Sequence, residues 1–339
     1  MNQVPKTVPP PARQVLVTAH RGSSAEAPEN TLSAIRLATA QGTDWVEIDV
    51  QEARDGTLVL LHDEDLRRVA GDPRGVWELD HSALARLEAG AWFSPRFAGE
   101  PIPTLAEVLD FARGRIGLNI ELKHHGYERR LIESTIDLVR AAGMGSDCLL
   151  TSEELSALRR VKDLAQDIRV GWIVDADPGD PSSLELDALS LHLPLATPRL
   201  LRACRAAGVE THVWTVNERT DMIRLIRLGV TSIITDTPAV LRQVGHAYAE
   251  LLRDQLGITD ETAGVVLAAI PYAALPIGTA VSLETYLPMI YPRKEVKAHG
   301  TGQTIEGVVR AGDTAIVIDD LITTGGSKLE AIEHLSAAG

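Results

Sequence analysis

Residues 45–62 read WVEIDVQEARDGTLVLLH. Two apolar runs, WVEIDV (45–50) and LVLLH (58–62), are joined by the short link QEARDGT (51–57). A parallel crossover needs a dozen residues or more, and Asp55-Gly56 is a strong hairpin-turn signal. The two runs therefore pair antiparallel. A turn centred on Asp55-Gly56 sets Asp49 opposite His62, to within a residue or two. The same reading fixes the strand count. VLVTAH (15–20), LNIELK (118–123), CLLTS (148–152), VGWIV (170–174), LSLHL (189–193), HVWTV (212–216) and SIITD (232–236) are further apolar runs. With LVLLH set aside as a hairpin partner, eight strands remain.

Helix patterns with readable ends separate most of these strands. Thr104 with Glu107 forms a capping box. Thr197-Pro198 and Thr237-Pro238 place a cap residue before a first-turn proline. Gly42, Gly114, Gly143, Gly208 and Gly229 follow helical runs, where a left-handed residue closes the helix. In the first helix Asn30 or Thr31 is the cap, and Leu32, Ile35 and Ala38 recur at helical spacing. Strands alternating with helices pair in parallel, and this rhythm, running from Gln14 to about residue 245, suits a (β/α)8 barrel of the TIM type.

The chain has 339 residues, 45 % hydrophobic and 24 % charged, an ordinary globular balance with room for one large domain and a smaller one. Its net charge of −14 argues against nucleic acid, because an acidic chain gains nothing from counterion release. Cys148 and Cys204 read as separate reduced core thiols, which suits a cytoplasmic protein. Residues 1–13 read as a disordered proline-rich tail. The longest apolar stretch, 265–283, is broken by Pro271, Pro276 and Gly278, so no stable membrane insertion is expected.

In a barrel of this kind, chemistry sits at the C-terminal ends of the strands. The first strand ends in His20-Arg21-Gly22. Glu47 and Asp49, spaced by two, share one face of the second. The third run ends in His62-Asp63, and the fourth carries Glu121 and Lys123. Later strands offer His192, Trp214 and Asp236. Buried carboxylates must be paired, protonated or metal-bound. A bland network with Arg21 and Lys123 would satisfy them. Three carboxylates converging on one surface favour a hard cation, Ca2+ or Mg2+, over zinc, for which no close Cys/His set is present. His20 and His62 suit acid–base work near neutral pH, and Arg21 offers a planar fork for phosphate. The residues by themselves thus point to metal-assisted cleavage of a phosphodiester.

The ordered stretches AHRGSSAEAPENTLSAI, VEIDVQEARDGTLVLLHDEDL, IPTLAEVL, LNIELK, VWTVN and IITDTP resemble the motifs of glycerophosphodiester phosphodiesterases over about residues 14–245. The resemblance implies cleavage of glycerophosphodiesters to sn-glycerol 3-phosphate and an alcohol. Carried over, it makes His20 and His62 the acid–base pair and Glu47, Asp49 and Glu121 the metal ligands. Arg21 and Lys123 contact phosphate, and Trp214 flanks the substrate. Residues 64–103 correspond to an insertion shaping the side of the pocket, and Glu29 and Asn30 are candidates for support. After His62-Asp63 the chain reads Arg67-Arg68-Val69 where that family often has an Arg-Thr pair.

The rhythm changes in the last ninety or so residues. AIVIDDLITTGGS (315–327) is a strand running into two carboxylates and a glycine-rich loop. Asp319 and Asp320 can accept hydrogen bonds from ribose hydroxyls, and Thr323, Thr324, Gly325, Gly326 and Ser327 can wrap a phosphate. With IPYAALPIGTAVSLETYLPMIYPRKEVKAHGT (270–301), this stretch resembles orotate phosphoribosyltransferases of the type I fold over residues 246–339. The resemblance makes Arg293, Lys294, Lys297 and His299 a mobile pyrophosphate-binding loop and phosphoribosyl pyrophosphate the ligand. The segment is partial: no Phe-x-Leu-x-Ser-Gly run for the base is present. A truncated gene, a gene-model artefact, or a remnant stabilised by the barrel or by homodimerisation each account for this. A regulatory phosphoribosyl pyrophosphate-binding module and a bifunctional enzyme are the alternatives to a plain phosphodiesterase.

Overall fold

The structure, a computed structural model, describes residues 15–240, 265–269, 289–292, 305–306 and 314–318. The chain divides into two compact units, one of them Val15–Ala239.

Nine strands run through this unit: β1 Leu16–His20, β2 Trp45–Glu52, β3 Leu58–Leu60, β4 Gly117–Leu122, β5 Cys148–Ser152, β6 Arg169–Val174, β7 Ala188–His192, β8 Glu210–Trp214 and β9 Ser232–Thr235. Eight of them pair in parallel, and β1 pairs with both β2 and β9, which closes the barrel. β3 lies antiparallel on β2, as the short link requires. The register is one residue off the sequence reading. Val50 faces Leu60, and Leu61, not His62, donates its amide to the Asp49 carbonyl. The turn is the cause. Ala53 closes on Thr57, so the loop has three residues and ends in Gly56 at φ +88°, the left-handed position such a loop needs.

The helices are α1 Leu32–Ala40, α2 Arg67–Ala70, α3 His81–Leu84, α4 Leu105–Ala112, α5 Leu131–Ala141, α6 Leu155–Leu164, α7 Pro198–Ala207 and α8 Arg219–Leu228. The capping box is present on α4, where Glu107 and Thr104 bond reciprocally. Thr31 caps α1 through Ala34 N, and Thr197 caps α7 with Pro198 at the first turn. Gly208 and Gly229 end α7 and α8 left-handed. Between β6 and β7 the link holds a single 3-10 turn, Pro181–Ser183.

The main core lies between strands and helices and includes Ile35, Ile48, Leu105, Leu109, Ile120, Leu150 and Val161. A second, smaller core is formed by Ala53, Val59, Leu61, Leu66, Val69, Val76, Leu79, Leu84, Ala89 and Ile102. The segment from Glu64 to Pro103 is thereby anchored on the face of the β2–β3 hairpin that carries Val59 and Leu61, opposite to Leu58 and Leu60. Both cysteines are free and buried, and burial pushes the Cys148 thiol up to about 12. Among the described residues, no helix is long and apolar enough to cross a membrane.

In the other unit, strands β10 Val265–Ala269, β11 Met289–Pro292, β12 Ile305–Glu306 and β13 Thr314–Ile318 form one sheet in the order β12-β11-β10-β13. β10 is parallel to β11 and β13, and β12 is antiparallel to β11. Val266, Ala268 and Ile290 are buried there. The tail 1–13, the loop with Arg293, Lys294, Lys297 and His299, and Asp319 to Ser327 lie outside the described residues.

The turn after β1 admits little variation. Gly22 has φ +86°, and a Cβ there would stand 2.6 Å from Ala34 Cβ and 2.7 Å from its carbonyl carbon. Gly22→Ala is therefore expected to cost about 1–3 kcal/mol by overpacking, in addition to its backbone strain. Urea unfolding of the two proteins measures it.

Candidate active site

The site begins with the loop after β1. Arg21 has φ +56°, a left-handed conformation costing of order 1–2 kcal/mol for a residue with a Cβ. It points the Arg21 amide at Glu47 Oε2, 3.0 Å away. Asn30, also left-handed at φ +55°, clasps Asp49 twice. Its Nδ2 donates to Asp49 Oδ2 at 2.8 Å, and its Oδ1 accepts from the Asp49 amide at 3.1 Å. Asn30 is therefore a support of the carboxylate, and the helix cap falls to Thr31.

Glu47 and Asp49 alternate with the core residues Val46, Ile48 and Val50 and so face the barrel interior. Glu121 comes alongside because β4 pairs with β2 in the register Asp49↔Glu121. One oxygen of each of the three carboxylates lies within 4.8 Å of the others. Arg21 Nε stands 3.3 Å from Asp49 Oδ2. Lys123 Nζ donates to Glu121 Oε1 at 2.8 Å and lies 3.9 Å from Asp49 Oδ1. Two cations thus face three carboxylates, and Arg21 NH1 is also drawn to Glu29 at 2.9 Å.

The electrostatics follow from that shortfall. Burial first, then the charges of Asp49 and Glu121, push the Glu47 carboxyl well above its ordinary range. Burial and Asp49 push Glu121 up to about 7. Burial would raise Asp49 too, but Arg21, His62, Lys123 and Asn30 outweigh it and hold this carboxyl low. Glu47 Oε1 and Asp49 Oδ1 are buried with no hydrogen-bond partner. An all-oxygen donor set with orphaned carboxyl oxygens fits a hard divalent cation.

The two histidines flank this cluster. His20 Nδ1 lies 2.7 Å from Asp236 Oδ1, and its Nε2 lies 4.0 Å from Glu47 Oε2. Asp236 is held in turn by Ser24 and Asn217. Burial works to raise it, but the bond to His20 leads the lowering contributions and brings it to about 2. His62 Nδ1 lies 2.9 Å from Asp63 Oδ1. Arg68, first through its hydrogen bonds, holds Asp63 at about 2. In each pair the carboxylate accepts Nδ1–H, which leaves Nε2 as the free nitrogen. Trp214 is fixed by its Nε1 bond to Ser190 O, 3.0 Å, and sits 5.1 Å ring to ring from the exposed His192. Arg68 and Asn217 were not singled out by sequence reasoning. Asn217 sits inside the VWTVN motif, which is a signal; Arg68 stands on the short helix α2, where the sequence offers only the Arg67-Arg68-Val69 departure.

Three acidic residues on the strands of a parallel barrel, with two carboxylate-held histidines beside them, make up the candidate site. The profile of the glycerophosphoryl diester phosphodiesterase family matches residues 20–240, and the chain belongs to this family. It is 36 % identical to a glycerophosphodiester phosphodiesterase of Caldanaerobacter subterraneus, covering 67 % of this chain and 96 % of that one. A phosphodiesterase from Oleispira antarctica, solved in complex with its product sn-glycerol-3-phosphate, superposes with a TM-score of 0.64. That match is 31 % identical and covers 68 % of this chain and 96 % of the other. Residues 230–339 match the phosphoribosyl transferase domain. There the chain is 41 % identical to an orotate phosphoribosyltransferase of Cenarchaeum symbiosum, covering 28 % of this chain and about half, 49 %, of that relative.

A proton balance tests the carboxylate cluster. Glu121 keeps its proton up to about pH 7 in the folded protein, against an ordinary value of 4.5. The folded state therefore binds more protons across this window, and this group's contribution to stability falls as pH rises through it. Chelator-treated protein should lose thermal stability between pH 5.5 and 7.5 in part from this cluster, and Glu121→Gln should flatten that slope. At pH 7.5, Ca2+ or Mg2+ at about a hundred times Kd should add about 2.7 kcal/mol, or about 5–10 °C for a unit of this size. Glu47→Gln should remove most of the gain in a differential scanning experiment.

Proposed function

We propose that the barrel hydrolyses glycerophosphodiesters to sn-glycerol 3-phosphate and an alcohol, using a divalent cation held by Glu47, Asp49 and Glu121 and acid–base catalysis by His20 and His62. The observation that carries the reading is the pair of histidines, each locked through Nδ1 onto a carboxylate, beside buried carboxylate oxygens that have no partner. When bound, Ca2+ or Mg2+ would supply polarisation of a phosphoryl oxygen. It would also add positive charge where two cations face three carboxylates.

The chain's own residues do the remainder. The attacking oxygen must lose a proton and the departing alcohol oxygen must gain one. His20 and His62 each present a free Nε2, so one accepts and the other donates. Asp236 and Asp63 hold the two rings in the required tautomer and stabilise the charged form as it develops. Arg21 and Lys123, partly buried beside the cluster, orient the phosphate. Trp214, pinned through its indole N–H, flanks the substrate. Either water or a neighbouring glycerol hydroxyl serves as the attacking group, the latter through a cyclic phosphate.

A second reading concerns the C-terminus, and the phosphoribosyl transferase match favours it. We take the tail as 1–13, the barrel as 14–245 and the transferase-like segment as 246–339. In the segment, β13 delivers the chain to Asp319 and Asp320, which with Thr323–Ser327 would bind phosphoribosyl pyrophosphate.

His20→Ala and His62→Ala are each expected to lower kcat on glycerophosphocholine by about 10²–10⁴-fold, read by phosphorus NMR as loss of glycerol 3-phosphate release. Wild-type protein that releases none with any divalent cation would overturn the first reading. For the second, calorimetry with phosphoribosyl pyrophosphate should show binding that is lost when Asp319→Ala and Asp320→Ala are combined, and a silent wild-type titration would overturn it.

A further inference from the structure

Arg68 stands in the insertion, outside the strands and outside the set of residues assigned above, yet it makes the densest set of charged hydrogen bonds near the site. Its Nε donates to Asp63 Oδ2 at 2.7 Å and its NH2 to Asp63 Oδ1 at 3.0 Å. Its NH1 donates to Glu29 Oε2 and its NH2 to Glu29 Oε1, both at 2.8 Å. One guanidinium thus forks onto two carboxylates at once, which only an arginine can do. The ring of Trp92 lies 5.2 Å from Arg68 Cζ, so the face of the guanidinium is occupied as well as its edges. The adjacent Arg67 is a contrast. Its side chain is 70 % exposed, and it reaches only Asp65, at 3.7 Å.

Each carboxylate held by Arg68 carries a functional group on its other side. Asp63 Oδ1 takes His62 Nδ1 at 2.9 Å. Glu29 Oε1 takes Arg21 NH1 at 2.9 Å. We propose that Arg68 is the positioning residue of the hydrolytic site, setting His62 through Asp63 and Arg21 through Glu29, and so coupling the insertion to both proton transfer and phosphate binding. This rests on the hydrolytic reading above.

The two arms predict different kinetics. Losing the Asp63 arm loosens His62 and lowers kcat. Losing the Glu29 arm loosens Arg21 and raises KM. Arg68→Met should therefore lower kcat about 10–100-fold, the usual range for residues that orient ligands or catalytic groups, and raise KM as well. The double variant with Asp63→Asn should be no slower in kcat than Asp63→Asn alone. Arg68→Lys keeps the charge but not the fork. It should keep the wild-type melting temperature within a few degrees while recovering only part of kcat, and it carries the test if Arg68→Met does not fold.

The experiment is steady-state kinetics with glycerophosphocholine over pH 5–9 for wild type, Arg68→Met, Arg68→Lys, Asp63→Asn and the double variant, with melting curves for each. Unchanged kcat and KM in folded Arg68→Met would overturn the proposal and leave the hydrolytic reading standing. So would effects of Arg68→Met and Asp63→Asn that simply multiply. Full activity in His62→Ala would instead remove the hydrolytic reading itself.

Discussion

Asp49 is buried to 1 % exposure with its charge kept, and the rest of the site is arranged around that cost. A carboxylate so deep in a barrel has to be compensated at every oxygen. Asn30 binds Oδ2 and the Asp49 amide, Arg21 Nε stands beside Oδ2, and Lys123 faces Oδ1 from 3.9 Å. Two left-handed residues, Arg21 and Asn30, are the backbone consequence. They bring the β1 loop over the end of β2, and Gly22 is needed where that loop passes Ala34. Keeping Asp49 ionised leaves too little positive charge for its neighbours. Burial first, and then the charge of Asp49, raises the Glu47 and Glu121 carboxyls.

Much of this was legible in the sequence because it depends on short spacings. Glu47 with Asp49 and Glu121 with Lys123 lie two apart on strands, and period-two alternation puts each pair on one face. The seven-residue hairpin link fixed the parallel count at eight. What depends on the closed ring was harder to read. His20 finds Asp236, 216 positions away, only because β1 and β9 meet when the barrel closes. The three-residue hairpin loop moved His62 one position past Asp49, a detail that Asp55-Gly56 alone does not encode. Arg68 left no pattern, because its two partners come from separate irregular loops. The Arg67-Arg68-Val69 stretch read as a departure from the family pattern, whereas its second arginine joins Asp63 to Glu29.

The insertion gives the barrel a wall with its own small core, centred on Leu61, Leu66, Val76 and Leu84. Leu66 and Val69 in that core anchor α2, the helix of four residues that carries Arg68. The described residues of the other unit form a four-stranded sheet in the order β12-β11-β10-β13. Its central strands are parallel and its β13 precedes two aspartates, an arrangement in keeping with the phosphoribosyl transferase match.

In the proposed function, Glu47, Asp49 and Glu121 together hold one divalent cation. Anomalous diffraction from crystals soaked in Mn2+, a redox-quiet stand-in for Mg2+ with a usable signal, tests it most directly. A single strong peak is expected, bonded to a carboxylate oxygen of all three residues, with Glu47 Oε1 and Asp49 Oδ1 among the ligands. A protein that hydrolyses glycerophosphodiesters in the same solution while showing no peak there, or a peak bonded elsewhere, would contradict it.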